Sequence, residues 1–150
     1  MAGPSEDLRN VYVDSNVFLN VWFEEMAKFG QIFYSSKRLL EQVIECRFVL
    51  VISELTVREL AKRTGLPRET LMGEYLKPFE MVDKLRVVKV TRRVAEDAVQ
   101  LSGAYGIHKT DALHAIMAMS ADCVLVTRDD ELIQAANRYG VRALRPEEII

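Results

Sequence analysis

The chain has 150 residues, a formal net charge of −2 at pH 7, 49% hydrophobic residues and 28% charged residues. These values are typical of one soluble globular domain with one core, and the slight negative charge gives no sign of a non-specific DNA-binding protein. No apolar run approaches the length of a membrane span, and the polar first ten residues lack the apolar stretch of a secretory signal. We therefore expect a cytoplasmic protein with a flexible N-terminus over residues 1–9 and a single domain over residues 10–150.

The two cysteines, Cys46 and Cys123, lie far apart in the chain and neither has a second cysteine nearby. This spacing excludes a zinc ribbon. We interpret them as buried, reduced thiols of a cytoplasmic protein, with a disulfide between them as the open alternative.

Short runs rich in β-branched residues predict the strands. Most are continuously apolar, which is typical of strands that helices cover on both faces. Apolar residues at helical spacing fill the intervals, and Gly65–Pro67 divides the second interval into a helical hairpin. The predicted strands are Val11–Val13, Phe48–Ile52, Val87–Val90, Cys123–Val126 and an edge strand Val141–Leu144. The predicted helices are Ser36–Cys46, Glu54–Arg63, Arg68–Asp83, Thr91–Tyr105, Asp111–Ala121 and Asp129–Tyr139. The alternation predicts a three-layer α/β fold around a parallel sheet of about five strands.

Four acidic residues fall where such a fold brings them to one edge of the sheet, because ligands of these folds lie outside the carboxyl ends of the strands. Asp14 and Asp129 follow two of the strands, Asp111 opens the helix that feeds the fourth strand, and Glu59 lies about one and a half turns into its helix. Two carboxylates about 4 Å apart repel by roughly 4 kcal/mol at an effective dielectric of 20. A protein that gathers several of them binds cations there or holds protons.

Each acid also has a purely structural explanation when it is taken alone. Asp14 could cap a helix, and Glu59 could pair with Arg63 at i,i+4. Asp111 could be an acidic residue of the first helical turn, where the helix dipole stabilises a negative charge. The spacing from Thr127 to Asp130 resembles a capping box, in which Asp130 has the structural role and Asp129 stays free. The convergence of all four at one predicted edge favours a functional role.

The two histidines are rival ligands. His114 lies one turn after Asp111 in an apolar helix, which favours a core histidine with satisfied hydrogen bonds, and His108 is predicted to be a loop residue. Carboxylates without histidine or thiolate ligands favour Mg²⁺ or Mn²⁺ over zinc.

At these residues the chain resembles the PIN domain family, specifically the small single-domain type that includes VapC-like toxins. The resemblance covers about residues 10–150 and rests on the order and spacing of several short segments. Those segments are Val13–Val17, Ser53–Leu60, Thr110–Ala115, Leu125–Asp129, Gly140–Val141 and Pro146–Glu148.

The resemblance implies a five-stranded parallel sheet and Mg²⁺- or Mn²⁺-dependent cleavage of RNA. Its Ser-x-x-Thr-x-x-Glu-Leu pattern selects Glu59 instead of Glu54. Thr127 and Asn16 become polar neighbours that position ligands or the attacking water. The catalytic and metal-binding set carried over by position is Asp14, Glu59, Asp111 and Asp129.

The residues and the resemblance together predict a metal-dependent endoribonuclease, for which the toxin of a toxin–antitoxin pair is one role that the resemblance implies. A non-catalytic RNA- or protein-binding module is the alternative. A phosphatase with an aspartyl nucleophile fails because Asn16 stands where a second aspartate is needed, and glycine-rich nucleotide-binding motifs are absent from the sequence. The flanking cations are either phosphate contacts or solvated charges. These cations are Arg58, Lys109 and Arg128.

The segment Trp22–Tyr34 departs from the family pattern. Trp22, Met26, Phe29 and Phe33 form one helical stripe, which either covers the sheet or buries itself against a second subunit or an antitoxin. We expect a homodimer on this basis, and stacking against RNA bases is the weaker third reading.

Overall fold

The computed structural model describes residues 9–23 and 30–150. Most of the predicted flexible N-terminus lies outside the described residues, as do Met26 and Phe29 of the aromatic stripe. Five short strands form one all-parallel sheet in the order β3-β2-β1-β4-β5, which confirms the predicted fold class. The strands are β1 (Asn10–Val13), β2 (Val49–Ser53), β3 (Leu85–Val88), β4 (Val124–Val126) and β5 (Ala143–Leu144).

Eight α-helices connect the strands within the described ranges. They are α1 (Ser15–Trp22), α2 (Gly30–Ile44), α3 (Glu54–Thr64), α4 (Arg68–Thr70), α5 (Lys77–Met81), α6 (Arg92–Tyr105), α7 (Lys109–Ser120) and α8 (Asp130–Tyr139). A π-helical turn spans Leu71–Tyr75, and a 3₁₀ turn spans Pro146–Glu148. Among these helices, none is both long enough and apolar enough to cross a bilayer.

The sheet separates two apolar cores, and the residues of β1 alternate between them. Val11 and Val13 belong to the core that includes α1 and α2, whereas Tyr12 belongs to the core formed with α6, α7 and α8. All three side chains are completely buried. Successive strand residues point to opposite faces, so the part of a strand that is covered on both sides is apolar on both, as Val11–Val13 of β1 are.

The chain reverses its direction of strand addition at β1, because β2 and β3 lie on one side of it and β4 and β5 on the other. This reversal opens a crevice at the carboxyl ends of β1 and β4. The register places Val13 beside Val126, so the next residues, Asp14 and Thr127, emerge together at that crevice.

Several predicted boundaries are wrong. The third strand lies two residues earlier than predicted, and Val90 is 42% exposed beyond its end. The predicted helix Arg68–Asp83 is broken into α4, the π-helical turn and α5, since Pro78 has no N–H to continue an α-helical ladder. Helix α2 begins at Gly30 and α7 at Lys109, both earlier than predicted.

The cysteine prediction is half wrong. Both thiols are free, and Cys123 is buried as expected. Cys46, however, is exposed in the turn after α2, where its φ is +64°.

Candidate metal centre

Asp14 stands at the end of β1 and caps the N-terminus of α1, with only 6% of its surface exposed. Its Oδ1 accepts a hydrogen bond from the Ser15 amide at 2.8 Å. Its Oδ2 accepts one from Thr127 Oγ1 at 2.8 Å and one from Asn16 Nδ2 at 3.3 Å. Burial raises the pKa of Asp14, and the nearby His114 and the Thr127 bond only partly oppose that effect. The buried carboxylate therefore needs a positive partner to stay ionised.

Asn16 makes hydrogen bonds to several residues beside Asp14. Besides reaching Asp14, its Nδ2 contacts Thr127 Oγ1 at 3.4 Å, and its Oδ1 accepts from the Arg128 amide at 3.4 Å. The side chain thus joins the start of α1 to the loop after β4.

Glu59 reaches the same crevice from α3. That helix starts directly at the end of β2, because Ser53 and Thr56 form a reciprocal capping box at its first turn. Glu59, on the next turn, is partly buried, and its Oε1 lies 2.6 Å from His114 Nε2. Glu59 thus contacts a residue 55 positions away in the sequence, whereas its spacing had suggested a pairing with Arg63.

His114 is the site residue that sequence reasoning missed. Its ring is buried and hydrogen-bonded, as expected of a core histidine, but its partners belong to the acidic cluster. Nδ1 lies 2.7 Å from the Tyr12 hydroxyl, and Nε2 lies 4.0 Å from Asp14 Oδ1. One ligand atom each from Asp14, Glu59 and His114 falls within 4.8 Å of the others. The expectation of a cluster without histidine is therefore wrong.

The hydrogen bonds around Tyr12 place a proton on Nδ1 of His114. The Tyr12 hydroxyl donates its single proton to Ser53 Oγ at 2.7 Å, so its oxygen accepts from His114 Nδ1–H. Burial raises the pKa of Tyr12, which keeps this hydroxyl neutral. Burial alone would lower the pKa of His114, but the bond to Glu59 and the charge of Asp14 outweigh it and raise that pKa.

Asp111 and Asp129 lie outside the group of three but remain electrostatically coupled to it. Asp111 is the third residue of α7, a helix capped by His108, which is the residue predicted to lie in a loop. Burial, together with the charges of Asp129 and Asp14, raises the pKa of Asp111 to about 6. The charges of Asp14 and Asp129 thus disfavour the ionised form of Asp111.

The predicted capping box at Thr127 is wrong. Asp129 itself caps α8, with its Oδ1 accepting from the Glu131 and Leu132 amides at 3.0 and 3.2 Å. Asp130, the residue expected to cap, instead receives the Arg145 Nε at 2.9 Å. The Thr127 hydroxyl donates to Asp14, and its oxygen accepts from the Asp129 amide at 3.2 Å.

The three predicted phosphate contacts lie in different surroundings. Arg58 lines an open groove of about 360 Å³ beside Glu59, together with two further cations of α3, Lys62 and Arg63. Lys109 is exposed at the start of α7. Arg128, with only 11% of its side chain exposed, is held by Ser36 and Glu147. Lys62 and Arg63 are not among the sequence-based candidates, although they follow Arg58 by about one helical turn.

A family model described as PIN domain matches residues 11–138. No curated protein sequence matches the chain. Solved structures resemble it over most of both chains. FitAcB from Neisseria gonorrhoeae is 21% identical with a TM-score of 0.65, covering 91% of this chain and 98% of that one.

A toxin–antitoxin complex from Klebsiella pneumoniae is 19% identical with a TM-score of 0.61, over 91% of this chain and 97% of that one. VapBC2 from Rickettsia felis, bound to a DNA fragment from its promoter, is 14% identical with a TM-score of 0.63, over 91% and 98%. At these identities the likeness establishes a shared fold.

Proposed function

Because the chain belongs to the PIN domain family, we propose that it is an endoribonuclease that hydrolyses RNA phosphodiester bonds with Mg²⁺ or Mn²⁺. The observation that carries the proposal is the convergence of Asp14 and Glu59 on one buried point, with Asp111 and Asp129 coupled to it. A structural scaffold gains nothing from such a cluster, since burial and mutual repulsion both make its ionised form costly.

The donor set fits a hard divalent cation, because carboxylate oxygens are the ligands that Mg²⁺ and Mn²⁺ prefer. We assign the catalytic and metal-holding roles to Asp14, Glu59, Asp111 and Asp129. A bound cation supplies the positive charge that neutralises a scissile phosphate and activates water for in-line attack. Asn16 and Thr127 fix the orientation of the Asp14 carboxylate through the hydrogen bonds to its Oδ2.

The groove along α3 is where we place the RNA backbone. Arg58 and Lys62 are exposed on it, and Glu59 and Thr110 line the side next to the acids. Contacts of this kind position a phosphate without reading a base. Lys109 is close enough in sequence to Asp111 to contribute on the same rim. Arg128, already held by Ser36 and Glu147, acts here as a structural tie.

The test is cleavage of single-stranded and structured RNA by the purified chain with Mg²⁺, with Mn²⁺ and with EDTA. We expect cleavage only with metal, and its loss in Asp14→Ala, Asp111→Ala and Asp129→Ala with the fold retained. Glu54→Ala is the matched control, because Glu54 lies on the same helix as Glu59 but pairs with Arg68 at the surface at 2.9 Å. Full activity in Asp111→Ala, or a strong loss in Glu54→Ala, would show that other acids carry the chemistry.

We further propose that the protein is a cytoplasmic toxin with an antitoxin partner and forms a homodimer. This proposal is supported by the family and by the fold shared with the complexes from Klebsiella pneumoniae and Rickettsia felis. A short neighbouring reading frame for a DNA-binding protein would support it. Co-expression should then yield a complex that cleaves RNA more slowly than the isolated chain.

A further inference from the structure

His114 occupies the innermost position of the acidic cluster. It follows Asp111 by one turn on α7, so both side chains point to the same crevice, with His114 further inside. Its side chain is 1% exposed, and its Nε2 has two carboxylate oxygens around it, at 2.6 Å (Glu59) and 4.0 Å (Asp14). Two ligands of one ion at about 2.0–2.2 Å are at most about 4.4 Å apart, so the 4.0 Å separation fits a shared cation. The 2.6 Å separation is a hydrogen-bond distance, and it would widen slightly if a cation replaced the shared proton.

The hydrogen-bond pattern presents Nε2 as an electron-pair donor. Because Tyr12 gives its proton to Ser53, it accepts the proton of His114 Nδ1, and the lone pair of the neutral ring is on Nε2. Nε2 faces two carboxylates, so this arrangement needs positive charge between them, which a proton on Nε2 or a bound cation would supply. Histidines that bind metals usually donate their other N–H to a fixed acceptor, and the Tyr12 oxygen is such an acceptor.

We propose that His114 Nε2 is a ligand of the divalent cation, beside Asp14 and Glu59. This inference rests on the proposed metal-dependent function and adds a nitrogen to a site otherwise made of oxygens. Imidazole binds Mn²⁺ and the later transition metals better than it binds Mg²⁺. The mixed donor set therefore favours Mn²⁺ over Mg²⁺, and Tyr12 is a positioning residue that orients the His114 ring.

The chain contains only two histidines, which permits a direct test by electron spin-echo spectroscopy of bound Mn²⁺ in protein carrying isotopically labelled histidine. In the His108→Gln variant His114 is the sole remaining histidine, and His108 is an exposed helix cap that does not belong to the group of Asp14, Glu59 and His114. We expect this variant to show a histidine nitrogen bound to Mn²⁺, and His114→Gln to lose that signal. The first variant decides the question even if the second fails to fold.

Calorimetry supplies a second readout. Tyr12→Phe removes the acceptor of Nδ1–H without changing the size of the buried ring, and we expect it to lower Mn²⁺ affinity by about 10- to 100-fold. His114→Gln should lower Mn²⁺ affinity more than Mg²⁺ affinity. Mn²⁺ binding without any histidine nitrogen signal would overturn the role of His114 and leave the nuclease proposal intact. Absence of metal binding altogether would overturn both.

Discussion

The hydroxyl of Thr127 donates a 2.8 Å hydrogen bond to Oδ2 of Asp14, and so ties the end of β4 to the end of β1. Both residues are buried, and they are neighbours because Val13 and Val126 are paired in the sheet. A threonine in this loop thus has a specific task, which is to hold a carboxylate that burial would otherwise protonate.

Thr127→Val removes this hydroxyl but keeps the shape of the side chain. Since a buried carboxylate then loses a donor, we expect the free energy of unfolding to fall by about 1–3 kcal/mol. Denaturant unfolding in EDTA measures the change. Thr127→Ser, which retains the hydroxyl, is the matched control, and equal stability of the two variants would contradict the assigned role.

Asp129→Asn should stabilise the metal-free protein and weaken metal binding. Asparagine caps a helix as well as aspartate does, so α8 keeps its start while the repulsion of Asp111 is relieved. For a chain of this size, a gain of about 1 kcal/mol raises the Tm by roughly 2–4 °C.

The measurement is thermal unfolding with and without Mn²⁺, which raises the Tm of any form that binds it. Asp130→Asn is the control, because Asp130 is exposed and pairs with Arg145. If the Tm of Asp129→Asn in EDTA were below that of the parent, the repulsion between Asp129 and Asp111 would be contradicted. If the affinity for Mn²⁺ were unchanged, the role of Asp129 in the proposed metal site would be contradicted.

The metal-free protein should lose stability as the pH rises from about 5 to 8. The folded-state pKa of Asp111, about 6, lies above its ordinary value of 3.8, so between these values the native state binds more protons than the unfolded chain. The resulting stability is complete below 3.8 and is lost as the pH rises through 6. The raised pKa of His114 adds a loss of the same sign above its ordinary value of 6.5.

Tm values measured across this range in EDTA check the sign. Asp111→Asn should flatten the profile between pH 5 and 6.5, because the uncharged amide does not titrate. A parent protein whose stability increases steadily with pH over this range would contradict the pKa shifts.

Helix α2 leads to a prediction about self-association. Tyr34 is 63% exposed, and the neighbouring Phe33 is partly exposed. Trp22, by contrast, packs against Phe18 and Tyr75 with ring centroids 4.9 and 5.1 Å away, so this end of the stripe stabilises the core. We expect a homodimer in sedimentation experiments, and Phe33→Glu or Tyr34→Glu should shift it towards monomer.

Met81→Glu is the control for these variants, because Met81 is 76% exposed on α5. It should leave the dimer unchanged. A parent chain that sediments as a monomer at high micromolar concentration would remove the dimer proposal, and unfolding of Phe33→Glu would assign that ring to the core.

The sheet was predictable because burial on both faces leaves a clear mark on the sequence of a strand. The apolar runs at Val11–Val13 and Cys123–Val126 locate β1 and β4 to within one residue. The third strand was displaced because Arg86 breaks the apolar run, although both Leu85 and Arg86 belong to the strand. An edge strand needs less burial and therefore leaves a weaker pattern.

The site could be predicted from the sequence where its residues follow the end of a strand or lie near the start of a helix at the same edge of the sheet. The expectation failed for His114, since a histidine in an apolar helix has the same pattern whether it faces the core or a cleft. The spacing Asp111-x-x-His114, which places both on one helix face, was the available signal.

The choice between Asp129 and Asp130 as the cap of α8 depends on which of the two side chains the turn after Thr127 directs inward. The spacing of the residues alone does not determine this.

The central position of β1 also constrains how the protein is made. Strand β1 is synthesised first, but its neighbours in the sheet, β2 and β4, are synthesised later. The hydrogen bond from Thr127 to Asp14 therefore forms only after most of the chain has emerged. A chain still on the ribosome that ends before Asp111 carries just Asp14 and Glu59 of the proposed acids and lacks His114. The cluster is thus completed late in synthesis, so the proposed nuclease centre is not assembled until most of the chain has been made.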